Sequence, residues 1–471
     1  MLRATELADS VRRGETSARQ NVAEAFARLD RLNPSLNAFI RTYREAADRA
    51  ADRIDAQVAR GEDPGLLAGV PFGVKDMESC AGFQITQGSW FLKDAPPEVS
   101  DSRHVARLKA AGAIPIGVTA SSEFGMDSAT TTLLYGVTRN PWNTDTTPGG
   151  SSGGSSAAVA AGIVPLATGT DAGGSIREPA AFTCTVGLKP SHGRIPKANG
   201  FSNWSVHGVI AANVGDAARH LDVAAGPDDG DRQSLPAPGY RYEEIIETLD
   251  VGGLKAVWSP DYGYAAVERE VVEIAEAAAR RLMAAARLLP TAADFAPINI
   301  YPHWGAIFGS TLEEDFIQAG YLPDGYDKLS KSVQRVINRV RERRGTVDVK
   351  KSWQQVHLLE QQVADFFRGH DLLFSPATSC RPYGADEAPP REIEGKDATA
   401  GGAEPFGMLA NACWNPSISI PAGMTSDGLP VGLQIVARRH RDDILLRLAR
   451  IAELTMPWPY WPSLQAQAAP R

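Results

Sequence analysis

Pro148-Gly149-Gly150-Ser151-Ser152-Gly153-Gly154-Ser155-Ser156-Ala157-Ala158-Val159-Ala160-Ala161-Gly162 is the stretch on which the reading of this chain turns. A flexible Gly/Ser linker is one account of it. Against that, the stretch runs straight into an Ala-rich helix and then an apolar strand, so it belongs to a fold. A phosphate-cradling loop is a second account, but it needs GxxxxGK[ST], and no Lys follows these glycines. A third account fits better. Glycine opens backbone conformations closed to other residues and lets two segments approach closely. Such a loop can hold a serine, here Ser151, at a helix N-terminus with its hydroxyl aimed inward.

Working outward, a second glycine pair follows in Gly169-Thr170-Asp171-Ala172-Gly173-Gly174-Ser175-Ile176-Arg177. Successive N–H groups from Ala172, Gly173, Gly174 and Ser175 could converge on one oxygen, as an oxyanion hole requires. Asp171 and Arg177 straddle Ser175 and could pair to brace the loop. A serine nucleophile needs a base. No histidine is close in sequence to either serine loop, and no GxSxG elbow is present. A buried lysine with a depressed pKa is the alternative. Val70-Pro71-Phe72-Gly73-Val74-Lys75-Asp76 ends an apolar, strand-like run on such a lysine. Alone, Lys75 reads as a lysine whose head reaches water; beside two serine loops, it reads as the base.

Around these motifs, helices and strands alternate. Periodic apolar positions predict helices over Ser17 to Leu32, Tyr43 to Arg60, Asp101 to Ala111, Val271 to Leu289 (closed by Pro290) and Asp442 to Leu454. Short apolar runs predict strands at Ile114 to Val118, Val186 to Leu188, Ala256 to Trp258, Leu372 to Phe374, Ser417 to Ile420 and Val431 to Val436. The expected fold class is α/β, a mixed central sheet covered on both faces by helices. Asn299 to Arg368 is mostly helical, rich in aromatics, and reads as inserted relative to the sheet.

Composition narrows the function. The formal net charge of −8 argues against nucleic acid as a partner, because such binding rests on clustered Lys and Arg. The dense basic stretch Arg339, Arg341, Arg343, Arg344, Lys350 and Lys351 is interrupted by acids and reads as a solvated helix face. The 4 cysteines, Cys80, Cys184, Cys380 and Cys413, are far apart without CxxC spacing, so neither a zinc site nor a disulfide framework is expected. The 8 histidines are scattered and read as structural or exposed. No metal, cofactor or membrane partner is expected. The N-terminus has no apolar signal core, which makes the cytoplasm the expected compartment.

The three motifs together resemble the amidase-signature family of serine hydrolases. The matching residues are Gly73-Val74-Lys75-Asp76, Pro148 to Ser155 and Gly169 to Arg177. Flanking pieces agree at Thr138 to Asn143, Val186 to Pro190 and Gly428 to Gln434. The likeness is strong over 68–234 and 371–454 and weak between. It implies a single domain over 1–471: a catalytic core at 68–234, a divergent and mostly helical cap and pocket segment at 235–370, and a return to the core at 371–455. It also implies a Ser-cisSer-Lys triad of Ser175, Ser151 and Lys75, with a cis Gly150–Ser151 bond. Ala172, Gly173, Gly174 and Ser175 would form the oxyanion hole, and Ser152 would support the network. Ala172 stands where many members carry Thr or Ile.

Two functions compete on these residues. One is a stand-alone amidase cleaving the C–N bond of small, aryl or apolar amides, and of carbamates (urethanes) and esters by the same acyl-enzyme logic. The other is the A subunit of a tRNA-dependent glutamine amidotransferase. That family's pattern has a Glu-Asn before the cis-serine loop, which Gly125-Met126-Asp127-Ser128-Ala129-Thr130-Thr131-Thr132 lacks. This favours the hydrolase. The expected partners are a small amide and water, with a homodimer left open. Gly125, Met126, Asp127, Ser128, Trp304 and Trp414 are the expected pocket residues, with Tyr301, Phe308 and Phe316 beside Trp304.

Overall fold

The computed structural model describes residues 3–197, 203–342 and 348–460. Its centre is an eleven-stranded mixed sheet. In spatial order the strands are Phe39–Thr42, Ile114–Thr119, Pro71–Lys75, Leu166–Asp171, Val206–Ala211, Val186–Lys189, Ser417–Met424, Pro430–Ala437, Leu372–Pro376, Lys255–Trp258 and Leu289–Pro290. Pro71–Lys75 lies parallel to both of its neighbours, and Leu166–Asp171 runs antiparallel to Val206–Ala211.

Strand side chains alternate between two cores, as the pleat requires. Val209 and Ala211 face one core, with Leu108, Leu221, Leu282 and Leu445 from its helices. Ile210 faces the other, with Val22, Phe26, Ala51 and Ala157. Helices therefore cover both faces, as the sequence pattern predicts. Ser17 caps Ala18–Leu36 by accepting from the Gln20 N–H at 3.0 Å. Ser102 does the same for Arg103–Ala110 through the Val105 N–H at 3.1 Å.

The helix Gly153–Ala160 is buried on every side. Its residues are small because it packs flush on the sheet: a Cβ on Gly154 would lie 2.3 Å from the Ala120 nitrogen and 2.5 Å from the Ala38 oxygen. Each glycine here costs roughly 1 kcal/mol of helix propensity relative to alanine, a cost the close approach makes unavoidable.

Two expectations change. The helix predicted to Leu289 ends at Ala285, because Arg287 turns to φ 54°. Leu289–Pro290 instead adds an edge strand beside Lys255–Trp258, where a proline without an N–H is tolerated. Phe39–Thr42 and Val206–Ala211 carry too little alternation to be foreseen. Between 299 and 368 the chain does form helices, at Tyr301–Gln318, Lys331–Glu342 and Val349–Gly369. In the basic stretch, Arg341 donates to Glu313 at 2.9 Å; Arg343 and Arg344 lie outside the described residues. No helix among the described residues is long and apolar enough to cross a membrane.

Candidate active site

Lys75 ends its strand fully buried, as the apolar run before it dictates. Its Nζ donates to Ser151 Oγ at 2.7 Å and to Thr170 Oγ1 at 2.8 Å. Burial lowers its pKa to about 7, against the opposing pull of Asp171, Glu78, Glu404 and Asp76. Ser151 follows a cis peptide bond after Gly150, immediately before the helix Gly153–Ala160. The Ser152 N–H donates to the Ser175 carbonyl at 3.3 Å and so ties the two serine loops together.

Ser175 sits in the loop between the strand Leu166–Asp171 and the helix Arg177–Thr183. Arg177 clasps Asp171 with two bonds, Nε to Oδ2 at 3.0 Å and a terminal nitrogen to Oδ1 at 2.8 Å. Burial alone would raise the Asp171 carboxyl, but the Arg177 charge and hydrogen bonds hold it at about 2. Arg177 is itself fixed by Gln434 Oε1 at 2.8 Å and Asn411 Oδ1 at 2.6 Å.

The Asp171 carboxylate also engages one of the four amides that the sequence predicts for the oxyanion hole. Its Oδ1 accepts from the Gly174 N–H at 2.9 Å. Gly174 has φ 138°, and a Cβ there would meet Glu404 Oε2 at 2.4 Å, so glycine is needed for the turn. Ala172, Gly173 and Ser175 line the cavity and Gly174 does not.

The cavity has a volume of about 640 Å³. Gly125, Met126, Asp127 and Ser128 all line it, and this loop packs tightly on Gly150, whose Cβ would lie 2.5 Å from the Asp127 oxygen. Tyr301 and Trp304 line it from the helix Tyr301–Gln318. Trp414 does not: its ring stacks on His192 at 4.2 Å between centroids, outside the cavity. Phe308 turns to Trp204 and Trp304, and Phe316 to the core around Leu312 and Leu322. Polar lining at Glu404, Arg335 and Arg339 was not foreseen. Arg335 donates to Asp127 at 3.4 Å across the mouth. Burial, and then the negative charge of Asp171, push the Glu404 carboxyl well above the usual carboxylate range.

This geometry has relatives. The Amidase family profile matches residues 20–446. The chain belongs to the amidase family. An acylamidase of Rhodococcus erythropolis is 35% identical, covering 97% of this chain and 96% of its own. The A subunit of the glutamyl-tRNA(Gln) amidotransferase of Bdellovibrio bacteriovorus is 30% identical, covering 94% and 95%. The crystal structure of a bacterial aryl acylamidase of the amidase-signature enzymes superposes with a TM-score of 0.88 at 28% identity, covering 97% and 96%. This amidase is thus an amide hydrolase with the α/β fold of the amidase-signature enzymes. Thr170, Asn411 and Gln434 are the supporting residues that sequence reasoning missed. Thr170 and Gln434 carried a signal, since they lie inside the Gly169 to Arg177 and Gly428 to Gln434 matches.

Proposed function

We propose that this amidase hydrolyses small amides with an aryl or apolar leaving group, acting as a stand-alone enzyme through an acyl-enzyme on Ser175. The observation that carries the reading is the fully buried Lys75, whose Nζ lies 2.7 Å from Ser151 Oγ, beside a cavity lined by Ser175.

In this mechanism neutral Lys75 accepts the Ser151 proton as Ser151 accepts that of Ser175. Ser175 Oγ bonds to the carbonyl carbon, and the oxygen becomes an anion held by the amides of Ala172, Gly173 and Ser175. The relay returns the proton to the amide nitrogen, the C–N bond breaks and the amine departs. Water then attacks the ester, giving its proton to the same relay, and the acid leaves with Ser175 restored. Esters and carbamates follow the same path.

Trp304 and Tyr301 support the aryl preference as aromatic walls of the cavity. The structural neighbour named as an aryl acylamidase supports it too, and the relative named as an acylamidase supports amide hydrolysis. The likeness to the amidotransferase protein favours the second reading, release of ammonia from glutamine inside a complex. A panel of anilides, aliphatic amides, carbamates, esters and glutamine, given to the isolated chain, separates them. The proposal expects the anilide to turn over fastest. Turnover of glutamine alone, and only with a partner protein, would replace it.

A further inference from the structure

Behind the catalytic lysine lies a cluster that this mechanism does not use. Glu78, His104 and His207 are buried together, each offering one ligand atom, and these atoms lie within 4.8 Å of one another. Glu78 follows Lys75 in the turn that leaves its strand, and its N–H donates to the Lys75 carbonyl at 2.9 Å. His104 comes from the helix Arg103–Ala110, and His207 from the strand Val206–Ala211. Three segments remote in sequence thus deliver one carboxylate and two imidazoles to one point.

Hydrogen bonds within the cluster leave it incomplete. Glu78 Oε1 accepts from Ser102 Oγ at 2.8 Å and lies 2.9 Å from His104 Nδ1 and 3.3 Å from His207 Nδ1. Glu78 Oε2 and His207 Nδ1 are fully buried and have no hydrogen-bond partner among the described residues. Buried polar atoms without partners cost roughly 1–3 kcal/mol each, so two in one cluster call for a common partner. A cation that bonds a carboxylate oxygen and imidazole lone pairs is one.

We propose that Glu78, His104 and His207 form a structural zinc site. Two imidazoles and a carboxylate are a familiar zinc donor set. Bonds of about 2.0–2.1 Å in a tetrahedron place donor atoms about 3.3 Å apart, and the ligand atoms of the three side chains all lie within 4.8 Å of one another. A ligating histidine normally uses its other ring nitrogen to fix its orientation. His104 has that arrangement, with Nε2 2.7 Å from His220 Nε2. The ion would pin the turn after Lys75 to the strand carrying His207, which pairs with Thr170. Thr170 Oγ1 in turn takes the Lys75 Nζ bond at 2.8 Å. The ion therefore has a positioning role for Lys75 and no part in bond breaking. The sequence gives no sign of it, because its ligands are single residues scattered over more than a hundred positions.

The test is elemental analysis of the tag-free full chain, produced in zinc-supplemented medium and dialysed against a mild chelator. Glu78→Gln, His207→Ala and Ser175→Ala are prepared alongside. Glutamine keeps the size of Glu78 but is a poor zinc ligand. One zinc per chain is expected in the wild type and in Ser175→Ala, falling to about a tenth or less in the two ligand variants. Protein produced with cobalt instead should show the visible absorption of a four-coordinate site, lost in Glu78→Gln. Wild-type protein with less than about a tenth of a zinc per chain would overturn the proposal whether or not the variants fold. Equal zinc in all four proteins would overturn it as well.

Discussion

Ser175→Ala removes one hydroxyl from the edge of a cavity, so its effects on rate and on stability should separate. Turnover should fall by about 10⁴-fold or more, while the unfolding free energy stays within about 0.5 kcal/mol of the parent. Turnover of an anilide and urea unfolding, measured on one preparation, check both. In the proposed mechanism Lys75 sets the pH dependence. It must be neutral to accept a proton, and burial lowers its pKa to about 7. The kcat/KM should therefore rise about tenfold per pH unit below 7 and level off above it. A profile with no acid limb, chemistry being rate-limiting, contradicts the role. Arg177 serves stability more than chemistry. Arg177→Ala leaves Asp171 buried and uncompensated and should cost about 3–5 kcal/mol of unfolding free energy. The sequence singled out Lys75, Ser151, Ser175, Asp171 and Arg177, and the structure brings Lys75 to Ser151 and Arg177 to Asp171. Thr170 and Gln434 lay inside matched stretches without a role, and Asn411 gave no sign at all: each is an ordinary polar residue that gains its part only when distant segments meet.

At the scale of elements, the Gly/Ser helix and the aromatic helix behave oppositely. In Gly153–Ala160, Gly154→Ala gains roughly 1 kcal/mol of helix propensity. It also drives a methyl into backbone atoms at 2.3 and 2.5 Å, which cannot move without shifting the sheet. The clash should win, with a net loss of about 1–3 kcal/mol in chemical denaturation. In Tyr301–Gln318 the three- and four-residue spacing of Tyr301, Trp304 and Phe308 was legible as one helix face. Which of them would meet the cavity was not, because that depends on where the helix docks. Trp304 lines the cavity, so Trp304→Ala should change the ratio of aryl to alkyl amide turnover by about tenfold. Trp414→Ala, which removes a ring stacked on His192, should leave that ratio unchanged. Equal ratios for both variants and the parent would detach Trp304 from specificity.

At the scale of the whole molecule, the site is assembled from the middle of one continuous sheet. Pro71–Lys75 and Leu166–Asp171 are neighbours that carry Lys75 and lead to Ser175, while Pro430–Ala437, four places further along, sends Gln434 to Arg177. Alternating helices and strands announced a sheet covered on both faces. Strand order was illegible because pairing partners come from far apart in the chain: Leu166–Asp171 joins Pro71–Lys75 on one side and Val206–Ala211 on the other. This arrangement bears on autonomy. The residues proposed as nucleophile, relay and oxyanion amides, the arginine that braces Asp171 and the cavity walls all come from this one chain. The isolated chain should therefore hydrolyse an anilide at a rate unchanged by added tRNA, ATP or glutamine, and linear in its own concentration over about a hundredfold range, with no dissociation-dependent loss. Hydrolysis that appeared only above a threshold concentration would mean that an assembly completes the site. Hydrolysis that needed glutamine and a second protein would move the chain to the amidotransferase reading. Initial-rate measurements across that range, with and without the additions, decide between the three.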